Sequence, residues 1–164
     1  MPERLGVAPT IRAGTPADVS AMVALSAEKR RAYAAVLPVF WRPAADADAR
    51  QSAWFAQLLA RETTVALVAE SATGLDGFLV GILHPAPPVY DPGGLTCTVD
   101  DFCVRDEGCW SSAGAALLRE VKRRARERGA VQVVVVCGSH DEVKRSLLDR
   151  PSLSPASVWF TGPT

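Results

Sequence analysis

The sequence has no excess of either charge: 18 Lys and Arg stand against 18 Asp and Glu over 164 residues. Without a net positive field there is no general attraction for nucleic acid or an anionic membrane surface. Neither is expected as a partner, and electrostatic recognition must be local. Long apolar runs are also lacking, since the longest, Val131 to Cys137, is strand-sized and far short of a bilayer span. No charged-then-apolar secretory segment opens the chain. The cysteines (Cys97, Cys103, Cys109 and Cys137) show no C-x-x-C spacing, so a cytoplasmic location with reduced thiols is the expectation. Cys97 and Cys103, six apart, should share one strand face, but no histidine lies near them in sequence. Asp46 and Asp48 read as helix-start acids, so no metal is expected. There is no internal repeat, low-complexity tract or linker. This length predicts one domain over 1–164, with 1–9 as a flexible tail.

What is present alternates in period. A short strand is expected around Thr10 to Ala13. Thr15-Pro16-Ala17-Asp18 then reads as a helix start, with Thr15 as N-cap, proline at the first helical position and an acid in the first turn. Val19, Met22 and Val23 supply a buried face, and the helix should end near Pro38. A second helix runs through Trp54, Phe55, Leu58 and Leu59. Thr64 to Ala69 and Gly77 to Leu83 read as a hairpin turning at Thr73-Gly74, and the proline-rich His84 to Gly94 as a loop. Leu95 to Val104 is the next strand. Ala113 to Arg128 is the clearest amphipathic helix and stops at Gly129. The β-branched run Val131 to Cys137 predicts a strand covered on both faces, inside the sheet. Ser139 should cap a helix through Leu148, and Pro155 to Thr161 should close the sheet. The order β-α-α-β-β-β-α-β-α-β predicts an α/β (α+β) domain: a mixed, mainly antiparallel central sheet with helices on both faces.

That order, together with Val99-Asp100-Asp101-Phe102-Cys103-Val104, the loop Arg105 to Ser112 and Ala113-Gly114-Ala115-Ala116-Leu117-Leu118, resembles the GCN5-related N-acetyltransferase superfamily. The element order spans nearly the whole chain; the motif itself spans Val99 to Leu118. The resemblance implies an acyl-CoA N-acyltransferase-like fold, acetyl-CoA as co-substrate and direct attack of an amine on its thioester. It also implies a pantetheine arm paired with the backbone of Phe102, Cys103 and Val104. The family loop begins with Arg or Gln and has Gly, then Gly or Ala, after two variable residues and one more. Cys109-Trp110-Ser111-Ser112-Ala113-Gly114 matches it well only at Gly114. The loop must present backbone N–H groups at a helix start to a pyrophosphate. Ser112 is small enough for this and can donate a hydrogen bond, whereas Cys109 removes a polar contact. Ser139 joins this cofactor-binding set at the start of the last helix.

Acetyl transfer needs a neutral nucleophile, donors for the developing oxyanion and a path for protons. Asp100 and Asp101 are candidates to bind an ammonium and take its proton through water, as similar acidic pairs do in the family's polyamine and diamine enzymes. Strand alternation lets at most one of them face an acceptor cleft directly, and a bulge would change which one. The alternative is one solvent-facing carboxylate and one buried ion pair. Many relatives carry a tyrosine on the last helix as general acid; here Leu148 takes that place, leaving Ser139, His140 or Ser146. His140 is a candidate proton carrier if it reaches the site. Tyr33, Phe40, Trp41, Trp54 and Tyr90 are candidate walls of an acceptor pocket, with core packing as the alternative. The charge run Arg119 to Arg128 reads as a solvated helix face. The expected reaction is acetylation of a primary amine on a small molecule, with a non-catalytic acyl-CoA-binding or protein-interaction module as the competing reading. The family's frequent dimers make a homodimer the possibility to test.

Overall fold

The computed structural model describes residues 8–149 and 153–164. Most of the expected tail, residues 1–7, lies outside them. One sheet in the order β1-β2-β3-β4-β5 organises the chain. Its strands are β1 (Thr10–Ala13), β2 (Thr64–Ser71), β3 (Gly74–His84), β4 (Leu95–Val104) and β5 (Ala130–Val135). The first four pair antiparallel, and β4 pairs with β5 in parallel. The sheet is therefore mixed and mainly antiparallel.

Helices cover both faces. On one side α1 (Val19–Val36) and α2 (Ala47–Leu59) bury Met22, Phe55 and Leu58 against Val68, Phe78, Val80 and Cys103. On the other, α3 (Ala113–Glu127) and α4 (Glu142–Leu148) bury Leu117, Val121 and Leu147 against Leu67, Leu79, Val99 and Phe102. Among the described residues no helix is long and apolar enough to cross a membrane.

The first helix starts as the sequence indicates. A single 3-10 turn, Pro16–Asp18, follows Thr15 and carries a capping box. Asp18 accepts from Thr15 N and Oγ1 at 2.8 and 2.9 Å and from both Arg12 terminal nitrogens at 2.8 and 2.9 Å. The Arg12 guanidinium holds the Asp18 carboxyl down at about 2, despite burial acting the other way. Its folded value is below the unfolded one, so the stabilisation is complete above the ordinary carboxylate range and is lost as pH falls towards 2. Asp18→Asn should cost about 2 kcal/mol at neutral pH, and the difference from wild type should vanish in acid; urea unfolding across pH checks it.

Three expectations about the second half are corrected. The valine run is not interior: β5 is the outer strand, Ala130–Val135, with Val131 54% and Val134 42% exposed. Continuous β-branching there reflects strand propensity rather than two-sided burial. Ser139 does not cap the last helix. Asp141 does, accepting from Lys144 N at 3.2 Å. No closing strand forms at 155–161; Val158, Trp159 and Phe160 lie exposed in irregular chain. Pro155 and Pro163 flank that segment, and proline supplies no ladder donor.

Candidate active site

The site begins where the parallel ladder ends. β4 and β5 pair from Leu95 to Val99, and the last bond runs from Val136 N–H to the Val99 carbonyl at 2.9 Å. Beyond Val99, β4 continues to Val104 against β3 alone, so a wedge opens between its free edge and the chain leaving β5. At the same point β4 carries a bulge. Val80 faces Asp101 while Gly81 faces Val99, leaving Asp100 as the extra residue.

The bulge shifts the alternation. Val99 and Phe102, three apart, both enter the core under α3, whereas Cys103 enters the core under α1 and α2. Asp100 and Asp101 thus fall together on the α1 side, which simple alternation forbids. Cys97 and Cys103 are correspondingly separated into opposite cores, correcting the expectation of a shared face. Asp101 is half-buried and accepts from Gln51 Nε2 of α2 at 3.5 Å; Lys29 Nζ of α1 lies 3.5 Å from the Asp100 carbonyl. Burial pushes the Asp101 carboxyl up and the Asp100 charge adds to this, while Lys29 opposes it. A carboxylate so placed is a better base than an exposed one.

Lys144 is the residue that sequence reading missed. Its side chain is fully buried in the wedge, where Nζ donates to the Val136 carbonyl at 2.9 Å and to the Phe102 carbonyl at 3.3 Å. The ammonium also lies 5.3 Å from the Phe102 ring centroid and 5.7 Å from that of Trp110. Desolvation lowers its pKa to about 8, with the Lys29 charge acting the same way. A signal existed: Lys144, Leu147 and Leu148 have the i, i+3, i+4 spacing of a buried helix face, and all three are buried.

The loop after β4 is more closed than the family pattern implies. Glu107–Trp110 forms a 3-10 turn capped by Asp106, which accepts from Cys109 N–H at 3.2 Å. Ser111 and Ser112 turn their hydroxyls back to the carbonyls of Gly108 and Cys109. No side chain caps α3, so its first N–H groups have no capping partner, but Ala113 and Gly114 are buried beneath the loop. The local charge opposes an anion, since Asp106 and Glu107 are exposed while Arg105 is turned away to Asp76 and Thr73. Trp110 packs edge-on against Phe102 at 4.9 Å, and a Cβ on Gly114 would come within 2.7 Å of its ring. Gly114 is therefore required for close packing of the loop.

The proposed wall residues divide. Tyr33, buried on α1, packs against Trp41 at 5.1 Å and His140 at 4.6 Å, and Phe40 packs on Trp41 at 4.6 Å. Tyr33 Oη donates to Asp141 at 2.8 Å and accepts from Gly138 N–H at 3.3 Å, fastening the start of α4 to α1. Both ring nitrogens of His140 are buried without a partner. Trp54 stands apart, half exposed under Arg61, and Tyr90 is exposed in the β3–β4 loop. Ser139 is exposed too, and its carbonyl accepts from Arg145. Leu148 is buried in the core, and on the outer side of α3 Glu120 binds Arg123 and Arg124.

No family model matches the chain, and no curated protein does. Solved structures do share its fold. A probable acetyltransferase superposes with a TM-score of 0.71 at 18% identity, over 94% of this chain and 97% of the other. A predicted acetyltransferase from Clostridium acetobutylicum, solved with acetyl-CoA, gives 0.71 at 17% identity over 94% and 95%. An aminoglycoside 6'-N-acetyltransferase from Acinetobacter haemolyticus gives 0.69 at 13% identity over 94% and 99%. The likeness is one of fold.

Proposed function

We propose, for a chain with the fold of the GCN5-related N-acetyltransferase superfamily, that it transfers an acetyl group from acetyl-CoA to a primary amine on a small molecule. The observation carrying this reading is the coincidence of bulge and wedge: the two carboxylates lie on the α1 side of β4 where its other edge loses its neighbour. Acetyl-CoA supplies an activated acyl thioester. The wedge-facing backbone of Val104, the Phe102 N–H beside it and the start of α3, which no side chain caps, are the groups that would hold it. Asp101 would bind the acceptor's ammonium and take its proton through water, with Asp100 adding negative charge beside it. Tyr33, Phe40, Trp41 and His140 form the neighbouring apolar wall.

A second reading has its own support. The Phe102 carbonyl already accepts from Lys144, and acids flank the loop, as expected of a module that kept the fold and lost the cofactor. Calorimetric titration with acetyl-CoA and with CoA separates the two. The proposed function predicts micromolar binding that weakens at least tenfold in Gly114→Val, which drives a side chain into Trp110. No binding at millimolar cofactor would reject it in favour of the module.

A further inference from the structure

We propose that Lys144 is the proton donor to the departing thiolate, an inference that rests on the acetyl-transfer reading above. The residue at the position of the family's tyrosine, Leu148, is apolar and buried, so the fold as built lacks a donor there. Lys144 lies one helical turn earlier on the same buried face of α4. Its ammonium sits between the Phe102 and Val136 carbonyls, in the wedge along which a thioester must lie to meet an amine at Asp101.

The placement suits the task. The two carbonyls and the rings of Phe102 and Trp110 fix the ammonium without a paired carboxylate, so its charge is free to act on a developing anion. The charged and titratable groups around it are Lys29 on α1, Asp101 and Cys103 on β4, Cys137 after β5 and Asp141 before α4. Its depressed pKa, about 8, leaves it protonated near neutrality yet ready to give up the proton. The step balances: the amine nitrogen bonds to the thioester carbon and the carbon–sulfur bond breaks. Asp101 first passes the ammonium's proton on to solvent. After attack the amine's surplus proton leaves through water to Asp101 and on to solvent, the sulfur takes one from Lys144, and solvent reprotonates the lysine.

The first arm of the test needs no acceptor. CoA, bound to the full-length protein, is titrated by the ultraviolet absorbance of its thiolate, with the spectrum of the protein alone subtracted. In wild type the bound thiol should titrate about one to three pH units below free CoA, as expected beside a fixed cation. Lys144→Met should abolish the shift and Lys144→Arg should preserve it. Turnover with a primary amine should fall about a hundredfold in both, because a guanidinium does not release its proton, a pattern that a merely structural role would not produce. An unshifted thiol in bound wild type overturns the proposal. So does tighter CoA binding by Lys144→Met with unchanged titration, which would make the lysine a plug. Failure of wild type to bind CoA removes the cofactor reading itself, and the proposal with it.

Discussion

Asp101→Asn should lower turnover about a hundredfold or more at saturating acetyl-CoA, the usual range for loss of a positioned base. Asp100→Asn should cost less, because Asp100 is exposed and contributes only charge. Burial raises the Asp101 carboxyl in the folded protein, so the acid limb of the rate profile should lie above the ordinary carboxylate range and disappear in the asparagine variant. The stability effect has the opposite sign. A carboxyl whose folded pKa is raised destabilises the native state once pH exceeds its unfolded value, so Asp101→Asn should unfold no more easily than wild type. Steady-state rates with a panel of primary amines, alongside urea unfolding, check both. Full turnover in the variant would reject Asp101 as the base, and loss of turnover together with loss of stability would make it a structural residue.

Lys144→Met should stabilise the protein at neutral pH. Depression of the lysine from 10.5 to about 8 corresponds to a cost of about 3 kcal/mol for holding the charge in the wedge. The variant leaves the Phe102 and Val136 carbonyls without their donor, which offsets about 1 kcal/mol or more, so the net gain is about 1–2 kcal/mol. Its pH dependence follows from the sign of the shift. Below about 8 the lysine is charged in both states and the full cost persists; between about 8 and 10.5 the unfolded chain holds a proton that the native state has lost. The advantage of methionine should therefore be constant below pH 8 and fade towards 10.5. Cys97, Cys109 and Tyr33 have raised values and make the native state less stable as pH rises in both proteins. Cys103 and Cys137, raised by burial but held down by Lys144, rise further in the methionine variant, so the comparison is cleanest below pH 8. Only the difference between paired urea curves isolates Lys144. A variant less stable than wild type at every pH would mean that the two carbonyl bonds outweigh the desolvation.

Where periodicity and punctuation coincide, the sequence was a sufficient guide. The hairpin of β2 and β3, the strand Leu95–Val104 and the amphipathic α3 with its stop at Gly129 all lie where spacing and turn residues put them. It misled where one physical property stood in for another. The run Val131 to Cys137 is rich in strand formers yet borders solvent, because propensity says nothing about the number of neighbouring strands. Ser139 and Asp141 are both competent caps, and the one used, Asp141, also accepts from Tyr33, more than a hundred residues away in sequence. The acidic pair could be read as a candidate, but not as a pair on one side. That depends on the register against Val80 and Gly81, which no local pattern encodes. Lys144 escaped because a lysine in a charged helix reads as solvated, even though its spacing with Leu147 and Leu148 is that of a buried residue.

The extra residue in β4 divides one strand into two segments of opposite phase. Before it, odd-numbered side chains such as Cys97 and Val99 point under α3; after it, even-numbered ones such as Phe102 and Val104 do. Substituting Asp100 leaves that phase intact, whereas deleting it would turn the strand's last residues over. Phe102 and its contact with Trp110 would then rotate towards α1, and Cys103 towards α3. This stretch of chain thus tolerates changes of letter far better than changes of length, so homologues and engineered variants should keep its residue count even where they discard its carboxylates.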